Sequence, residues 1–274
     1  MSSPRRARPP IRDFLSRGWL FDMDGVLYRG KRPIPGAIRF LGEVQRRGIP
    51  YLLLTNHGCL TPLELSRKLA RMGIRVPPAR IYTSAEATAE WLAARGVRAV
   101  FALGEAGLRS ALRRQEIRCA RTRVQHVVVS LDRAMTYAKL RAACGWIARG
   151  ARLIGTNPDP SYPVEDGQAP ECGALLAAIE SATGQKAIII GKPSPAIFRQ
   201  AAKRLGLPVH RLTMIGDRLD TDILGAKRAG ARAILVLTGH STRSMLRGAA
   251  ARPDRIVEGL EELALAFRLE FGSK

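Results

Sequence analysis

A chain of 274 residues with 46% hydrophobic and 25% charged residues can bury a sizeable core and has a globular composition, which excludes a largely disordered chain. No apolar run approaches the roughly 20 residues that span a bilayer. The basic, proline-rich residues 1–13 also lack the apolar segment of a secretory signal. We therefore predict a disordered tail over 1–13 and a cytoplasmic protein without a membrane partner.

The net charge of +22 is compatible with a protein that binds nucleic acid or an anionic surface. However, the basic residues are scattered along the chain, and aromatic residues make up only 5% of it, without a basic and aromatic stacking platform. We therefore expect no specific nucleic-acid partner. A positive field would still attract small anionic substrates.

The spacing of the cysteines disfavours two further kinds of site. None of them forms a CxxC pair, which argues against zinc, and a chain of this size without a secretion signal rarely depends on disulfides. We expect free thiols at Cys59, Cys119, Cys144 and Cys172.

Apolar runs alternate with helical patterns from the N-terminal part of the chain onward. Residues 18–22 and 49–56 read as buried strands, and residues 36–48 between them have helical periodicity. Residues 61–73 form a further predicted helix, with Thr61 as its N-cap. This start predicts a strand–helix–strand–helix unit.

The alternation continues to residue 239. In the middle of the chain we predict strands over 97–104, 125–131 and 151–157, and helices over 85–95, 136–149 and 173–183. In the last part we predict strands over 187–192, 211–217 and 231–239, and helices over 194–206 and 221–230. Such alternation is typical of an α/β protein with a parallel sheet covered on both faces.

Polar residues follow four of the predicted strands. In chain order they are Asp22 and Asp24, then Thr55 and Asn56, then Lys192, and finally Asp217 with Asp222 close behind. Asp220 reads as a solvated turn residue. Because ligands bind beyond the carboxyl ends of strands in an open parallel sheet, we predict that these residues converge in one site.

This set of residues contains more carboxylates than positively charged side chains. Strand residues two positions apart point to the same side, and like charges that close raise each other's pKa unless a cation neutralises them. Lys192 does not balance several aspartates, and an all-oxygen ligand set suits Mg²⁺. A metal, a lysine and a threonine hydroxyl around an aspartate predict phosphoryl transfer through a carboxylate nucleophile.

Four segments resemble the ordered motifs of the haloacid-dehalogenase (HAD) superfamily of phosphatases. They are "DMDGVLYRG", "LLLTNHG", "GKPSPAIF" and "GDRLDTDI". The long insertion between the second and third motifs resembles subfamily IIA, which includes 4-nitrophenylphosphatases, phosphoglycolate phosphatases and pyridoxal-phosphate phosphatases. The resemblance implies a Rossmann-like, doubly wound parallel-sheet core over 1–83 and 188–274, and an inserted α/β cap domain over 84–187.

The resemblance also implies a role for each motif residue. Asp22 would be the nucleophile that forms an aspartyl-phosphate, and Asp24 the general acid and base. Phosphate would be held by Thr55, Asn56 and Lys192, with Lys192 also neutralising charge. Mg²⁺ would be bound by Asp22, by the backbone carbonyl of Asp24 and by Asp217, while Asp222 would steady either the water shell of the metal or Lys192.

Departures from the subfamily pattern concern substrate choice. His57 stands where a second Asn is usual, and it could touch substrate or simply pack beside the loop; Cys59 lies two residues further on. The loop 156–167 would face the active site in this subfamily, which implies substrate contacts by Asn157, Asp159 or Tyr162. Its prolines equally suit a rigid connection.

Other classes of function remain open at the level of sequence. Fold alone does not fix function, so a non-catalytic metabolite-binding module is one alternative, and a nucleic-acid-associated protein is another. The expected partner is a small phosphorylated metabolite of unknown identity. The oligomeric state is open, a homodimer being one option.

Overall fold

The computed structural model describes Phe14 and residues 18–164 and 166–272. The predicted tail over 1–13 lies outside the described residues. The chain divides into two compact units. The first comprises the residues up to Leu54, Leu69–Val76 and the chain from Ala201 onward, and the second comprises Thr55–Lys68 and Pro77–Gln200. The boundaries that we predict for core and cap stay a prediction.

Strands and helices alternate along the chain, as predicted. The strands are β1 Gly18–Phe21, β2 Tyr28–Arg29, β3 Arg32–Pro33, β4 Tyr51–Thr55, β5 Ile81–Thr83, β6 Ala99–Leu103, β7 Arg118–Cys119, β8 His126–Val129, β9 Arg152–Gly155, β10 Ser161–Val164, β11 Gly167–Pro170, β12 Ile188–Ile189, β13 Leu212–Gly216, β14 Arg232–Val236 and β15 Arg255–Val257. The helices are α1 Ala37–Arg46, α2 Pro62–Ala70, α3 Ser84–Ala93, α4 Ala106–Arg114, α5 Tyr137–Ala148, α6 Cys172–Thr183, α7 Pro195–Leu205, α8 Leu224–Ala229 and α9 Leu260–Phe271. No helix in this described part of the chain is long and apolar enough to cross a bilayer.

The sheet of the first unit runs in the order β15-β14-β13-β1-β4, and all of these strands are parallel. Its central strand β1 pairs through Leu20 with Met214 on one side and with Leu52 on the other. Every residue of β1 is buried, which matches its uninterrupted apolar sequence. Parallel strands confirm the predicted α/β class.

An aromatic cluster anchors β1. The ring centroids of Trp19 and Phe40 lie 5.1 Å apart, and those of Phe40 and Phe267 lie 5.7 Å apart in an edge-to-face arrangement. Buried aromatic pairs of this kind contribute about 0.5–1.5 kcal/mol beyond their burial. The indole N–H of Trp19 donates to the Phe14 carbonyl oxygen at 3.1 Å, so its polar atom is also satisfied. These contacts fix the strand that immediately precedes Asp22.

The second unit has its own parallel sheet, in the order β12-β9-β8-β6-β7. Its core packs α5 and α6 against this sheet, through residues that include Val127, Leu153 and Leu176. The strand predicted over 187–192 belongs here, since Ile188 pairs with Ile154 of β9. This strand therefore lies at the edge of the second sheet, since a short apolar run can add to the edge of either sheet.

Two local details differ from the predicted elements. The loop predicted over 156–167 contains β10, which pairs with β11 in an antiparallel ribbon (Tyr162 opposite Ala169). The helix predicted over 221–230 begins as a π-helical turn, Leu219–Ile223, and continues as α8. Such π turns are frequent at functional sites. In contrast, α2 is confirmed, because the Glu64 N–H donates to the Thr61 hydroxyl at 3.3 Å.

Candidate active site

Three aspartates meet at the carboxyl edge of the sheet in the first unit. Asp22 follows β1, and its N–H donates to the Ile215 carbonyl oxygen on β13 at 2.9 Å. Asp217 follows β13, and Asp222 lies in the π-helical turn. Asp22, Asp217 and Asp222 are 9%, 4% and 0% exposed, and each offers an oxygen within 4.8 Å of the others.

Glycines make room for these carboxylates. A Cβ atom at Gly239 or Gly25 would overlap Asp217, and a Cβ atom at Gly216 would overlap Asp222. Gly25 also has φ +76°, a conformation that favours glycine. The backbone therefore approaches the acidic cluster more closely than residues with side chains would allow.

Backbone amides hold the aspartates in place. The His240 N–H donates to Asp217 Oδ2 at 2.6 Å, and the Arg218 N–H donates to Asp222 Oδ2 at 3.1 Å. Hydrogen bonds from amides to carboxylates are charge-assisted and favour the ionised form. The arrangement therefore keeps carboxylate oxygens aimed at one another across a short distance.

The geometry fits a divalent cation. Three largely buried carboxylates within 4.8 Å of one another repel strongly unless a cation lies between them. Oxygen ligands without His or Cys suit Mg²⁺ in preference to zinc or copper. The negative potential extends to Tyr28, because burial first, and then the charges of Asp24 and Asp22, raise its pKa far above the ordinary value.

Asp24 and Asp220 lie outside this three-oxygen cluster. The side chain of Asp24 is exposed. Asp220 is also exposed, and its carboxylate pairs with the Arg218 guanidinium at 2.7 Å. This position agrees with the turn residue that the sequence predicts.

The second unit brings together Thr55, Asn56 and Lys192. Asn56 Oδ1 accepts from the Lys192 N–H at 2.8 Å, and Asn56 Nδ2 donates to the Lys192 carbonyl oxygen at 2.9 Å. The Thr55 hydroxyl oxygen accepts from the His57 N–H at 3.1 Å. The Lys192 side chain is 2% exposed. The main chain of Lys192 is therefore bonded to Asn56, the residue that follows Thr55.

The three cap residues differ in their surroundings. Asn157 is 1% exposed, and its Nδ2 donates to Asp159 Oδ2 at 2.8 Å and to Glu171 Oε1 at 3.3 Å. Asp159 is half-buried and also accepts from Asn56 at 2.9 Å. Tyr162 is half-buried in the ribbon. The structure therefore joins Asn157 and Asp159 to Asn56, while Tyr162 lies further along the chain in β10.

Burial keeps the His57 ring neutral and the Cys59 thiol protonated near neutral pH. Burial first, and then the charges of Lys68 and Arg133, lower the pKa of His57 to about 4. Its Nδ1 accepts from the Leu60 N–H at 3.4 Å, which fits a neutral ring. Burial raises the pKa of Cys59 to about 12, so its thiol stays protonated. All four cysteines are free, as expected.

Comparison with known sequences identifies the family. Residues 19–118 match the family described as haloacid dehalogenase-like hydrolase, and residues 189–263 match a second one described as HAD-hydrolase-like. The chain belongs to the HAD-like hydrolases. The motifs noted in the sequence lie within these two matches.

Relatives of this HAD-like hydrolase are phosphatases. The chain is 36% identical to dihydroxyacetone phosphatase of Corynebacterium glutamicum, over 93% of each chain, and 34% identical to the 5'-nucleotidase YutF of Bacillus subtilis, over 90% of this chain and 96% of that protein. The crystal structure of 4-nitrophenylphosphatase from Thermotoga maritima superimposes with a TM-score of 0.87 at 35% identity, covering 92% of this chain and 97% of that one.

These relatives confirm three predictions. The protein is a phosphatase of the HAD superfamily, its fold is the HAD fold with a cap domain, and its relatives are those of subfamily IIA. Phosphatases of this superfamily generally use Mg²⁺, which agrees with the acidic cluster.

Sequence reasoning missed Gly239 and Glu171. Gly239 is the last residue of the strand predicted over 231–239, and it had no signal other than being a glycine. Glu171 is 8% exposed, and burial raises its pKa to about 7 even though Asn157 donates a hydrogen bond to it. A buried glutamate cannot be told from an exposed one by its sequence neighbours, so the fold was needed to find it.

Proposed function

We propose that this enzyme hydrolyses small phosphomonoesters with Mg²⁺ through a phosphorylated Asp22. The observation that supports the proposal most strongly is the cluster of Asp22, Asp217 and Asp222, whose oxygens lie within 4.8 Å of one another. Structural ion-pair networks contain cations, whereas this cluster consists of three buried acids. Its composition is therefore best explained by metal-assisted phosphoryl transfer.

The reaction takes two steps. A carboxylate oxygen of Asp22 attacks phosphorus, the bond between phosphorus and the ester oxygen breaks, and Asp24 gives its proton to the departing alkoxide. Water then attacks the same phosphorus, Asp24 takes up a proton, and the bond to Asp22 breaks to release inorganic phosphate. Both residues return to their starting state, so protons and charges balance.

Other residues stabilise the charge that develops on the phosphoryl oxygens. The Thr55 hydroxyl and the main chain at Asn56 hold the phosphoryl group, and the ammonium of Lys192 neutralises part of its charge. Asp22, the Asp24 carbonyl and Asp217, with Asp222 beside them, would hold Mg²⁺, which would supply Lewis-acid charge neutralisation. β4 ends in Thr55 and pairs in register with β1, which ends immediately before Asp22.

The substrates are small phosphorylated molecules. The named relatives include proteins called dihydroxyacetone phosphatase, 5'-nucleotidase and acid sugar phosphatase. We propose that the segment 84–187 is the cap and that Tyr162 contacts the leaving group. A cap of about this size admits metabolites and excludes folded phosphoproteins, and cytoplasmic metabolites are the natural substrates of such a site.

A metal-depletion assay tests the proposal. Purified enzyme is assayed on 4-nitrophenyl phosphate and on a panel of sugar, polyol and nucleoside phosphates, before EDTA, after EDTA and after Mg²⁺ is restored. We expect activity to vanish with EDTA and to return with Mg²⁺. Undiminished turnover after exhaustive chelation would contradict the metal site.

Two neighbouring aspartates provide a matched pair of variants. Asp222→Asn changes a buried member of the cluster, and Asp220→Asn changes an exposed residue of the same turn. We expect a higher Mg²⁺ requirement for the first and an unchanged one for the second. Equal behaviour of both variants would contradict the assigned metal-binding cluster.

A further inference from the structure

A hydrogen-bond network surrounds the carboxamide of Asn56 in the second unit. The carboxamide binds both main-chain groups of Lys192, at 2.8 and 2.9 Å. Its nitrogen also donates to Asp159 Oδ2 at 2.9 Å. Asn56 therefore bridges Lys192 and a carboxylate that lies 103 positions further along the chain than Asn56 itself.

The main chain at Lys192 is held from two sides. The Gly191 N–H donates to the Thr156 carbonyl oxygen at 2.8 Å. A Cβ atom at Gly191 would lie only 2.7 Å from Asn56 Oδ1 and would also overlap Thr156, so the segment passes very close to both. Small displacements of Asn56 must therefore be transmitted to Lys192.

The carboxylate of Asp159 favours the same orientation of the Asn56 carboxamide as the main chain of Lys192 does. An ionised carboxylate only accepts hydrogen bonds, so it can face the amide nitrogen but not the amide oxygen. The oxygen must then face the Lys192 N–H, as observed. The same Asp159 oxygen accepts from Asn157, which is itself buried and bonded to Glu171. Asn157 thus helps to hold the Asp159 carboxylate in place.

We propose that Asp159 is a positioning residue for the phosphatase reaction. Its carboxylate fixes the carboxamide of Asn56, and Asn56 in turn places Lys192 for charge neutralisation. This inference rests on the proposed function, in which Lys192 acts on the phosphoryl group. It assigns to Asp159 a role inside the protein instead of the substrate contact that the family resemblance implies.

Positioning and substrate contact predict different kinetics. Lys192 acts on the phosphoryl group, which all substrates share, so misplacing it lowers kcat by the same factor for every leaving group. Losing a charge-assisted hydrogen bond of this kind should cost about tenfold in kcat, with KM changed much less. Loss of a substrate contact would instead change the ranking of substrates.

The test compares Asp159→Ala with Asp166→Ala. Asp166 is an exposed aspartate in the turn between β10 and β11, so its removal changes the same charge on the same segment. Both proteins are assayed on 4-nitrophenyl phosphate and on sugar and polyol phosphates, with circular dichroism to check the fold. We expect Asp159→Ala to lower kcat by the same factor for every substrate, and Asp166→Ala to keep the kcat of wild type. Asp159→Asn keeps an acceptor oxygen, so its kcat should lie between those of Asp159→Ala and wild type.

A double-mutant cycle supplies the independent readout. If Asp159 acts through Asn56, Asp159→Ala should change kcat less than twofold in an Asn56→Ala background. Full additivity, a changed substrate ranking, or wild-type kcat for Asp159→Ala would overturn the inference while leaving the proposed function intact. Absence of Mg²⁺-dependent turnover in the wild-type enzyme would overturn the proposed function itself.

Discussion

Gly239→Ala is the sharpest perturbation of the acidic cluster, because it changes no functional group. The new methyl carbon would lie about 1 Å closer to the Asp217 carboxylate than the 3.0 Å limit that real Cβ atoms keep. Gly239 does not need a left-handed conformation, since it is not among the positive-φ glycines. The expected effect is therefore purely steric displacement of Asp217 by about 1 Å.

The magnitude follows from that displacement. Misplacing a reacting or binding group by about 1 Å costs on the order of 10²-fold in rate, or about 2.7 kcal/mol. We therefore expect kcat/KM on 4-nitrophenyl phosphate to fall about 100-fold, and the Mg²⁺ concentration for half-maximal activity to rise about tenfold. Metal affinity measured by titration calorimetry should weaken in parallel, because Asp217 is a proposed ligand.

Gly248→Ala is the matched control, since a Cβ atom there meets nothing within 4 Å. Circular dichroism and gel filtration of both variants show whether each has folded. If folded Gly239→Ala had kcat/KM and Mg²⁺ dependence within threefold of wild type, the assignment of Asp217 as a metal ligand would be wrong.

Three further changes test separate parts of the account. Because burial holds the pKa of His57 near 4, His57→Asn should leave the pH–rate profile between pH 5 and 8 unchanged. The loss of a titration step from the profile in that range would contradict a neutral, non-catalytic His57. Burial raises the pKa of Glu171 from 4.5 to about 7, so its stabilising contribution is present below pH 4.5 and is lost as the pH rises through 7. Between pH 4.5 and 8, the free energy of unfolding of wild type, measured with denaturant, should fall by up to about 3 kcal/mol relative to that of Glu171→Gln. A difference between the two proteins that does not change with pH would refute the raised pKa of Glu171. Tyr162→Ala should reorder the panel of small substrates while leaving Mg²⁺ affinity unchanged, and an identical ranking would exclude the proposed contact with the leaving group.

The elements that position the acidic cluster were predictable because their signals are local. β1 is a continuous apolar run, β13 is apolar apart from Thr213, and in each case an aspartate follows at once, so the parallel-sheet rule places Asp22 and Asp217 at one edge. Asp222 was predictable from its spacing after Asp217. The α2 cap at Thr61 was predictable from residue type alone.

The remaining features depend on contacts between distant residues. Ile188–Ile189 can pair with the edge strand of either sheet, and which one it joins depends on the tertiary fold. The hydrogen bond between Asn56 and Asp159 joins residues that are 103 positions apart in the sequence. The ribbon of β10 and β11 forms in spite of prolines that favour a loop. Helix α9 is absent from the predicted elements, although Leu260, Leu263 and Phe267 follow a helical spacing and are buried.

The measurement that tests the central claim most directly is a search for phosphorylated Asp22. Asp24→Asn should slow attack by water, so the phosphorylated enzyme should accumulate after a substrate with a good leaving group is added. Acid quench followed by peptide mass spectrometry locates the phosphoryl group. We predict one phosphoryl group on the peptide that contains Asp22, and none when Asp22→Asn is added to the same variant. A phosphoryl group on another residue, or continued release of the leaving group without any phosphorylated enzyme, would contradict the account.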